Sequence, residues 1–225
     1  MKALIFDVFG TCVDWRSSIA REVASALPKV DAFEFADAWR GEYQPAMERI
    51  RVGGRGYVPL DVLHRENLNR VLERFDVTCD DPNALNCAWE KLDPWHDVVP
   101  GLQALRKHAL VAPCSNGSIG MMARLARYGN LPWDCILGAD LAKAYKPILS
   151  VYQSSTAALG YAPEDVIMVA AHNNDLFGAR EAGLKTAFVA RPFEHGKGQR
   201  TDLQPESDWD FIAENFTALA QEIFG

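Results

Sequence analysis

The 225-residue chain lacks the features that mark a nucleic-acid-binding or membrane protein. It carries 23 basic residues against 30 acidic ones, and its formal net charge is −7. No cluster of lysine or arginine stands out, so neither nucleic acid nor an anionic membrane is expected as a partner. No apolar run approaches the roughly 20 residues that a membrane-spanning helix needs.

Cysteine is also scarce, and its arrangement carries no metal or disulfide signature. The five cysteines are odd in number and none are spaced as Cys-x-x-Cys, which argues against a zinc site or a disulfide framework. A strand pattern begins within the first residues, in place of a secretory leader. We therefore expect a reduced protein of the cytoplasm.

What the chain does contain is an alternation of short apolar runs and helical patterns. This alternation predicts an α/β fold with a doubly wound parallel sheet, and 48% hydrophobic residues suffice for a sizeable core. The predicted strands are Ala3–Phe6, Leu110–Cys114, Ile136–Leu137, Val166–Ala170 and Thr186–Val189. The predicted helices are Leu102–Lys107, Met121–Tyr128, Ser150–Leu159, Leu176–Ala182 and the final stretch Phe211–Phe224.

One long segment breaks the alternation, because it shows helical periods and no convincing strand. We predict a helical cap of residues 14–93 inserted into a core of residues 1–13 and 94–225. An insert directly after the first strand lies over the carboxyl edge of the sheet, where it can close a site against water. Its predicted helices are Ser18–Leu27, Phe33–Ile50, Leu60–Phe75 and Pro82–Leu92.

Four polar clusters lie at the ends of predicted strands. Strand ends converge in an open α/β sheet, so the clusters are expected to form one site. Each cluster alone is also typical of a turn or a helix cap. A carboxylate can attack a saturated or phosphoryl centre, and a nearby lysine would keep it ionised. The clusters are Asp7–Thr11, Ser115-Asn116-Gly117, Tyr145-Lys146-Pro147 and His172-Asn173-Asn174-Asp175.

In these clusters the chain resembles the haloacid dehalogenase superfamily over nearly its whole length. The resemblance implies a Rossmann-like core with an inserted helical cap, and it makes Asp7 a covalent nucleophile. Phosphatases of the superfamily carry a second aspartate two residues later, which protonates the leaving alkoxide. This chain has Phe9 there, and residues 170–174 before Asp175 include no acid that could help to bind Mg²⁺.

Halide leaves without a proton, so displacement of halide requires no acid at position 9. The 2-haloacid dehalogenase branch is the part of the superfamily that the chain resembles most. Its Asp-x-aromatic-Gly-Thr motif occurs at residues 7–11, and its cap arginine matches Arg40, which follows Trp39. The resemblance implies attack of Asp7 on C2 of an (S)-2-haloacid and hydrolysis of the resulting ester to a 2-hydroxyacid. The resemblance implies that the enzyme needs no metal or other cofactor. It also implies a homodimer.

The same resemblance assigns parts to the other site residues. Arg40 and Asn116 would hold the departing halide. Ser115 and backbone N–H groups after Asp7, beginning at Val8, would hold the substrate carboxylate. Lys146 and Asp175 would position the hydrolytic water. The remaining site positions are Phe9 as a wall, Thr11 orienting Asp7, and Tyr152 and Asn174 as further polar positions.

His172 departs from the branch, whose better-known members have Ser-Ser-Asn where this chain has Ala170-Ala171-His172. The imidazole could act as a base or a donor, or narrow the pocket toward small substrates or fluoride. It could equally satisfy backbone groups at the strand end.

Two other functions stay open at this point: a Mg²⁺-dependent phosphatase, and a non-catalytic protein that binds a metabolite or a protein partner. Outside the four clusters, two features have plain interpretations. The stretch Glu194–Gln199 is interpreted as a surface loop, and His64 as a surface or structural residue.

Overall fold

A six-stranded sheet forms the centre of the structure, a computed structural model that describes residues 2–225. Its order is β5-β4-β1-β6-β7-β8, and every pairing is parallel. The strands of the chain are β1 (Ala3–Phe6), β2 (Val13–Asp14), β3 (Asp93–Pro94), β4 (Leu110–Ser115), β5 (Leu137–Gly138), β6 (Val166–Ala170), β7 (Lys185–Val189) and β8 (Phe211–Ala213). The chain crosses to opposite sides of β1 at β4 and β6, so a switch point for ligand binding lies at the carboxyl end of β1.

Helices cover both faces of this sheet. Along β1, Leu4 and Phe6 pack into one core and Ala3 and Ile5 into the other, and all four side chains are buried. This explains why the strands read as continuous apolar runs. The helices after β3 are α6 (Val98–Leu105), α7 (Ile119–Gly129), α8 (Ala139–Ala142), α9 (Leu149–Leu159), α10 (Asn173–Glu181) and α11 (Phe216–Phe224).

The helical segment between β2 and β3, hereafter the helical insert, leaves and rejoins the core through a two-stranded antiparallel ribbon. In that ribbon Val13 is paired with Pro94, and Asp14 with Asp93. The Asp14 carboxylate then accepts a hydrogen bond from Ser17 N (3.0 Å), which caps the first helix. The insert contains α1 (Trp15–Ala26), α2 (Ala32–Gly41), α3 (Tyr43–Gly53), α4 (Leu60–Arg74), α5 (Pro82–Asn86) and a 3-10 helix at Cys87–Glu90.

Three helical predictions are wrong in detail. The predicted helix Pro82–Leu92 is the short helix α5 followed by the 3-10 helix Cys87–Glu90. The predicted helix Phe33–Ile50 is two helices, because Pro45 has no N–H for a helix interior and is accommodated in the first turn of α3. The predicted helix Phe211–Phe224 begins at Phe216, where the Asn215 side chain accepts from Ala218 N at 2.8 Å. The preceding residues Phe211–Ala213 form the edge strand β8.

The predicted α/β class with a parallel sheet is confirmed. The division into a core and a cap stays a prediction. Of the helices between residues 2 and 225, none combines the length and apolar character required to cross a membrane.

Candidate active site

A cavity of about 200 Å³ lies at the carboxyl end of β1, with the helical insert forming part of its wall. A pocket for a drug-sized ligand measures roughly 300–1,000 Å³, so this cavity suits a smaller molecule. Its lining is formed by Asp7, Phe9, Arg40, Tyr43, Gln44, Asn116, Lys146, Pro147, His172, Asn174, Asp175 and Asp202.

Asp7 follows β1 directly, and donors bind both of its carboxylate oxygens. Lys146 Nζ lies 2.8 Å from Oδ1, and Thr11 Oγ1 donates to Oδ2 at 2.7 Å. Thr11 Oγ1 also accepts from Ala171 N at 2.9 Å, which directs its one hydrogen toward Asp7. Burial raises the pKa of Asp7, but the charge of Lys146 and the contact with His172 outweigh burial and hold the pKa below its usual value. Asp7 is therefore ionised.

Lys146 joins Asp7 to a second buried carboxylate. Its Nζ lies 2.5 Å from Asp175 Oδ2, and Tyr152 donates its hydroxyl to Asp175 Oδ1 at 2.5 Å. Burial and the charge of Asp7 raise the pKa of Asp175 against the opposing effect of Lys146. The environments thus push the pKa values of the two carboxylates apart, which suits Asp7 to nucleophilic attack and Asp175 to proton transfer.

His172 lies between Asp7 and a third carboxylate, Glu194. Its Nδ1 is 2.9 Å from Asp7 Oδ2, and its Nε2 is 2.8 Å from Glu194 Oε2. Burial lowers the pKa of His172, but Glu194 and Asp7 together raise it well above its usual value. Burial raises the pKa of Glu194, and the charge of His172 outweighs it and lowers the pKa to about 2. The imidazole is therefore a cation with an N–H directed at each carboxylate.

The helical insert contributes a second cation, Arg40. Its guanidinium lies 4.0 Å from the centroid of the Tyr43 ring and 5.4 Å from that of Trp15. Among residues 2–225 the buried Arg40 Nη1 has no hydrogen-bond partner. A buried cationic donor without a partner is costly, and an anion in the adjacent cavity would satisfy it.

Asn116 connects the end of β4 to the helical insert. Its Nδ2 donates to Tyr43 Oη at 2.9 Å, and its Oδ1 accepts from Lys146 N at 2.7 Å. These two contacts fix the orientation of the amide. Its Nδ2 also lies 3.5 Å from Met47 Sδ, a weak acceptor.

The site offers poor support for a divalent cation. Lys146 Nζ lies between Asp7 and Asp175, where paired carboxylates would otherwise meet a metal ion. Within the described part of the chain, residues 2–225, no group of three or more His, Cys, Asp or Glu side chains is arranged to hold one. Phe9 stands where an acid would protonate a leaving alkoxide, and it is 3% exposed.

Eight of the residues predicted from the sequence line the cavity, and four stand behind it. Thr11 and Tyr152 act on Asp7 and Asp175 through the hydrogen bonds given above. Ser115 is buried and its Oγ accepts from Gly117 N at 3.1 Å, so its contact with a substrate stays a prediction. Val8 is also buried and outside the lining. The eight lining residues are Asp7, Phe9, Arg40, Asn116, Lys146, His172, Asn174 and Asp175.

The prediction of a surface loop at Glu194 is wrong. Glu194 is 1% exposed, and its Oε1 accepts from Trp15 Nε1 at 2.9 Å. The one available signal was its position after β7, at the same sheet edge as the four clusters. His64 is buried and stacked on Trp89 with a centroid separation of 4.1 Å, in agreement with its structural interpretation.

Comparison with known proteins agrees with the motifs. The family of haloacid dehalogenase-like hydrolases matches residues 1–183. The chain belongs to this family. It is similar to (S)-2-haloacid dehalogenase 4A of Burkholderia cepacia, with 26% identity and 98% of both chains covered. These findings confirm the resemblance inferred from the sequence and the expectation of a hydrolytic enzyme.

Two solved structures are considerably more similar in sequence. The defluorinating L-2-haloacid dehalogenase Rha0230 is 42% identical, with a TM-score of 0.97 over 100% of this chain and 96% of the other. The L-2-haloacid dehalogenase PA0810 is 41% identical, with a TM-score of 0.96 over 99% and 98% of the two chains.

Proposed function

We propose that the protein hydrolyses short (S)-2-haloalkanoic acids to 2-hydroxyacids and halide, through an ester on Asp7 and without a metal. The observation that carries this proposal is an ionised Asp7 bound to Lys146, in a small cavity where Phe9 replaces an acid. The names of the relatives, which are 2-haloacid dehalogenases, support the substrate class.

In the first step one carboxylate oxygen of Asp7 attacks C2 of the substrate in line with the carbon–halogen bond. Oδ2 accepts from Thr11 and His172, whereas Oδ1 accepts from Lys146 alone. Oδ1 therefore keeps the more available lone pair and is the attacking atom. The new C–O bond forms as the carbon–halogen bond breaks, and the halide leaves with the electron pair.

The departing halide is received by Arg40 and Asn116. Arg40 lines the cavity and has a buried N–H without a partner, and Asn116 is oriented by Tyr43 and by the Lys146 backbone. Donors already aimed at developing negative charge lower the barrier, because they need not reorganise during the reaction.

In the second step water attacks Cγ of the Asp7 ester. Asp175, whose pKa is raised, takes a proton from this water while Lys146 and Tyr152 hold its carboxylate in place. The Cγ–Oδ1 bond then breaks, and the released alkoxide takes the proton from Asp175. This leaves Asp7 as a carboxylic acid that contains one oxygen from water. Release of the second proton of that water to solvent restores the Asp7 carboxylate for the next turnover.

The helical insert acts as a cap in this proposal. It supplies Arg40 and Tyr43 to the lining, and it touches the core at Lys146, whose carbonyl accepts from Arg51 Nη2 at 3.1 Å. A cap in this position excludes bulk water and strengthens the interaction of the cations with the substrate. A homodimer and a cytoplasmic location stay predictions.

The test is halide release from each enantiomer of 2-chloropropionate with EDTA present. We expect release from the (S) form alone, and none from an Asp7→Asn variant that unfolds at a temperature close to that of the wild type. Hydrolysis of a phosphate ester that requires Mg²⁺, with no halide released from either enantiomer, would reject the proposal.

A further inference from the structure

We infer that Glu194 is a positioning residue that holds His172 as an N–H donor to Oδ2 of Asp7, where the imidazole stabilises the oxyanion formed during ester hydrolysis. This inference rests on the proposed function, since it assumes an ester on Asp7. Nothing in the four sequence clusters assigns a part to Glu194, which lies beyond β7.

The geometry of Glu194 leaves little freedom to the imidazole. Oε1 of Glu194 accepts from Trp15 Nε1, which directs Oε2 toward His172 Nε2 at 2.8 Å. Because the carboxylate accepts at Nε2, the other ring nitrogen is turned toward Asp7 Oδ2, 2.9 Å away. This is the same logic by which a buried carboxylate orients the histidine of a hydrolase triad.

The charged groups around the imidazole favour a cation. Asp7 faces it from the end of β1 and Glu194 from the segment after β7. His195 Nε2 lies 3.6 Å from Glu194 Oε1, and Lys146 stands beyond Asp7. Arg40 on α2 also acts on Glu194 through its charge. The two carboxylates contact the ring nitrogens at 2.9 and 2.8 Å, and their charges outweigh the effect of burial and favour the protonated imidazole.

Alkylation of Asp7 changes the role of the His172 N–H donor. Once Oδ1 carries the substrate carbon, Oδ2 becomes the carbonyl oxygen of a neutral ester, with Thr11 and His172 still directed at it. Addition of water to Cγ places a full negative charge on Oδ2 until the Cγ–Oδ1 bond breaks. The two donors therefore bind the tetrahedral intermediate more strongly than the ester, which is the condition for catalysis.

A general-base role for His172 makes the opposite prediction about pH. A base needs a free lone pair, but both ring nitrogens of the protonated imidazole carry hydrogens engaged by carboxylates. A donor loses its function as pH rises through its pKa, whereas a base loses its function as pH falls. The pH dependence of ester hydrolysis thus separates the two roles.

The experiment compares wild type with Glu194→Gln, using (S)-2-chloropropionate and following halide release in the first turnovers. We expect Glu194→Gln to release about one halide per active site in a burst and then to turn over slowly. Mass spectrometry of the quenched protein should find the ester accumulated on Asp7. The alkaline limb of hydrolysis should move to lower pH by roughly 1–3 units, since a neighbouring negative charge is lost.

Three further variants make the result decisive. Glu206→Gln makes the same change on an exposed side chain and should behave as wild type. Glu194→Asp should recover part of the hydrolysis rate because it keeps the charge. His172→Asn should show the burst and no alkaline limb. Because the His172 side chain is 22% exposed, this variant keeps the inference testable even if Glu194→Gln fails to fold.

Several results would overturn the inference. The first is an alkaline limb of hydrolysis that is the same in Glu194→Gln as in wild type. The second is a Glu194→Gln variant in which the burst and the later turnovers are slowed equally. The third is a Glu194→Gln variant in which the acid limb moves and the alkaline limb does not. If wild type turns over through an ester and Glu194→Gln behaves like it, the inference fails and the proposed function stands. If wild type releases no halide, the proposed function itself fails.

Discussion

Gly10 and Glu194 share one small space beside the nucleophile. A Cβ added to Gly10 would lie 2.1 Å from Glu194 Oε1 and 2.2 Å from its Cδ. Gly10 also has a φ of +88°, a conformation that residues with a side chain rarely adopt. The glycine after Phe9 therefore serves two purposes: it turns the chain after β1, and it admits the carboxylate that contacts His172.

Gly10→Ala should consequently disturb the site more than backbone strain alone explains. The matched control is Gly160→Ala, where φ is +71° and, apart from the two chain neighbours, no residue that the structure describes has a heavy atom within 4 Å of the added Cβ. Strain at a positive φ costs about 1–3 kcal/mol in either variant. Urea unfolding should show the larger loss for Gly10→Ala, and only that variant should lose ester hydrolysis. Equal losses in the two variants would mean that Glu194 moves aside freely.

Arg40→Lys tests whether the site needs a guanidinium or only a positive charge. Lysine keeps the charge, but it lacks the planar guanidinium that Arg40 holds 4.0 Å from the centroid of the Tyr43 ring, and it offers no planar fork of donors. We expect kcat/KM for (S)-2-chloropropionate to fall at least about tenfold, which corresponds to roughly 1.4 kcal/mol of transition-state binding. Arg49→Lys, on the exposed side of α3, is the control and should leave kcat/KM unchanged. An active Arg40→Lys would show that charge is sufficient.

The sequence predicts the part of the site that depends on strand ends. Asp7, Asn116 and Asp175 follow β1, β4 and β6, and the parallel sheet brings the ends of these strands together. Lys146 lies farther from its strand, because α8 separates it from β5. Their contacts depend on the register of neighbouring strands, which the hydrophobic pattern determines. For this reason, polar clusters that lie far apart in the sequence could be interpreted as one site.

The contact between Glu194 and His172 could not be predicted in the same way. It depends on the path of an irregular segment after β7, and on the missing Cβ at Gly10, more than 180 residues earlier in the chain. No periodic pattern encodes such a path. The helix break at Glu42, before Pro45, and the short strand β8 are not predicted for a related reason. Single caps and edge pairings outweigh helical periodicity there.

Tyr152→Phe should reveal Asp175 as the group that accepts a proton from water. The tyrosine hydroxyl donates to Asp175 Oδ1 and so opposes the rise in the pKa of this carboxyl. Without the Tyr152 hydroxyl the pKa of Asp175 rises further. A base with a higher pKa is already protonated, and therefore inactive, at a higher pH. The acid limb of kcat should therefore move to higher pH. Tyr161→Phe, just beyond α9, should leave the limb in place; movement of the limb in both variants would count against the role of Asp175.

Asp97→Asn tests a buried ion pair that supports the loop after Asp7. Arg191 binds both oxygens of Asp97 at 2.8 and 2.9 Å and donates from Nε to Thr11 O at 2.8 Å. Asp97 also accepts from Phe216 N at 2.8 Å. The variant leaves Arg191 buried without its countercharge, so we expect a loss of roughly 3–5 kcal/mol at neutral pH, measured by urea unfolding. Asp37→Asn breaks an exposed bidentate pair with Arg16 and should cost far less.

The loss of stability in Asp97→Asn should depend on pH, with a definite sign. Burial raises the pKa of Asp97, but the hydrogen bonds from Arg191 and Phe216 outweigh it and lower the pKa below its usual value. The contribution of Asp97 to stability is therefore complete above the ordinary aspartate pKa of about 3.9, and it is lost as pH falls through the lower value of the folded protein. Unfolding curves of wild type and Asp97→Asn should converge on acidification over that interval. A difference that stays constant from neutral pH to below 3 would mean that packing, and not charge, accounts for the effect of Asp97.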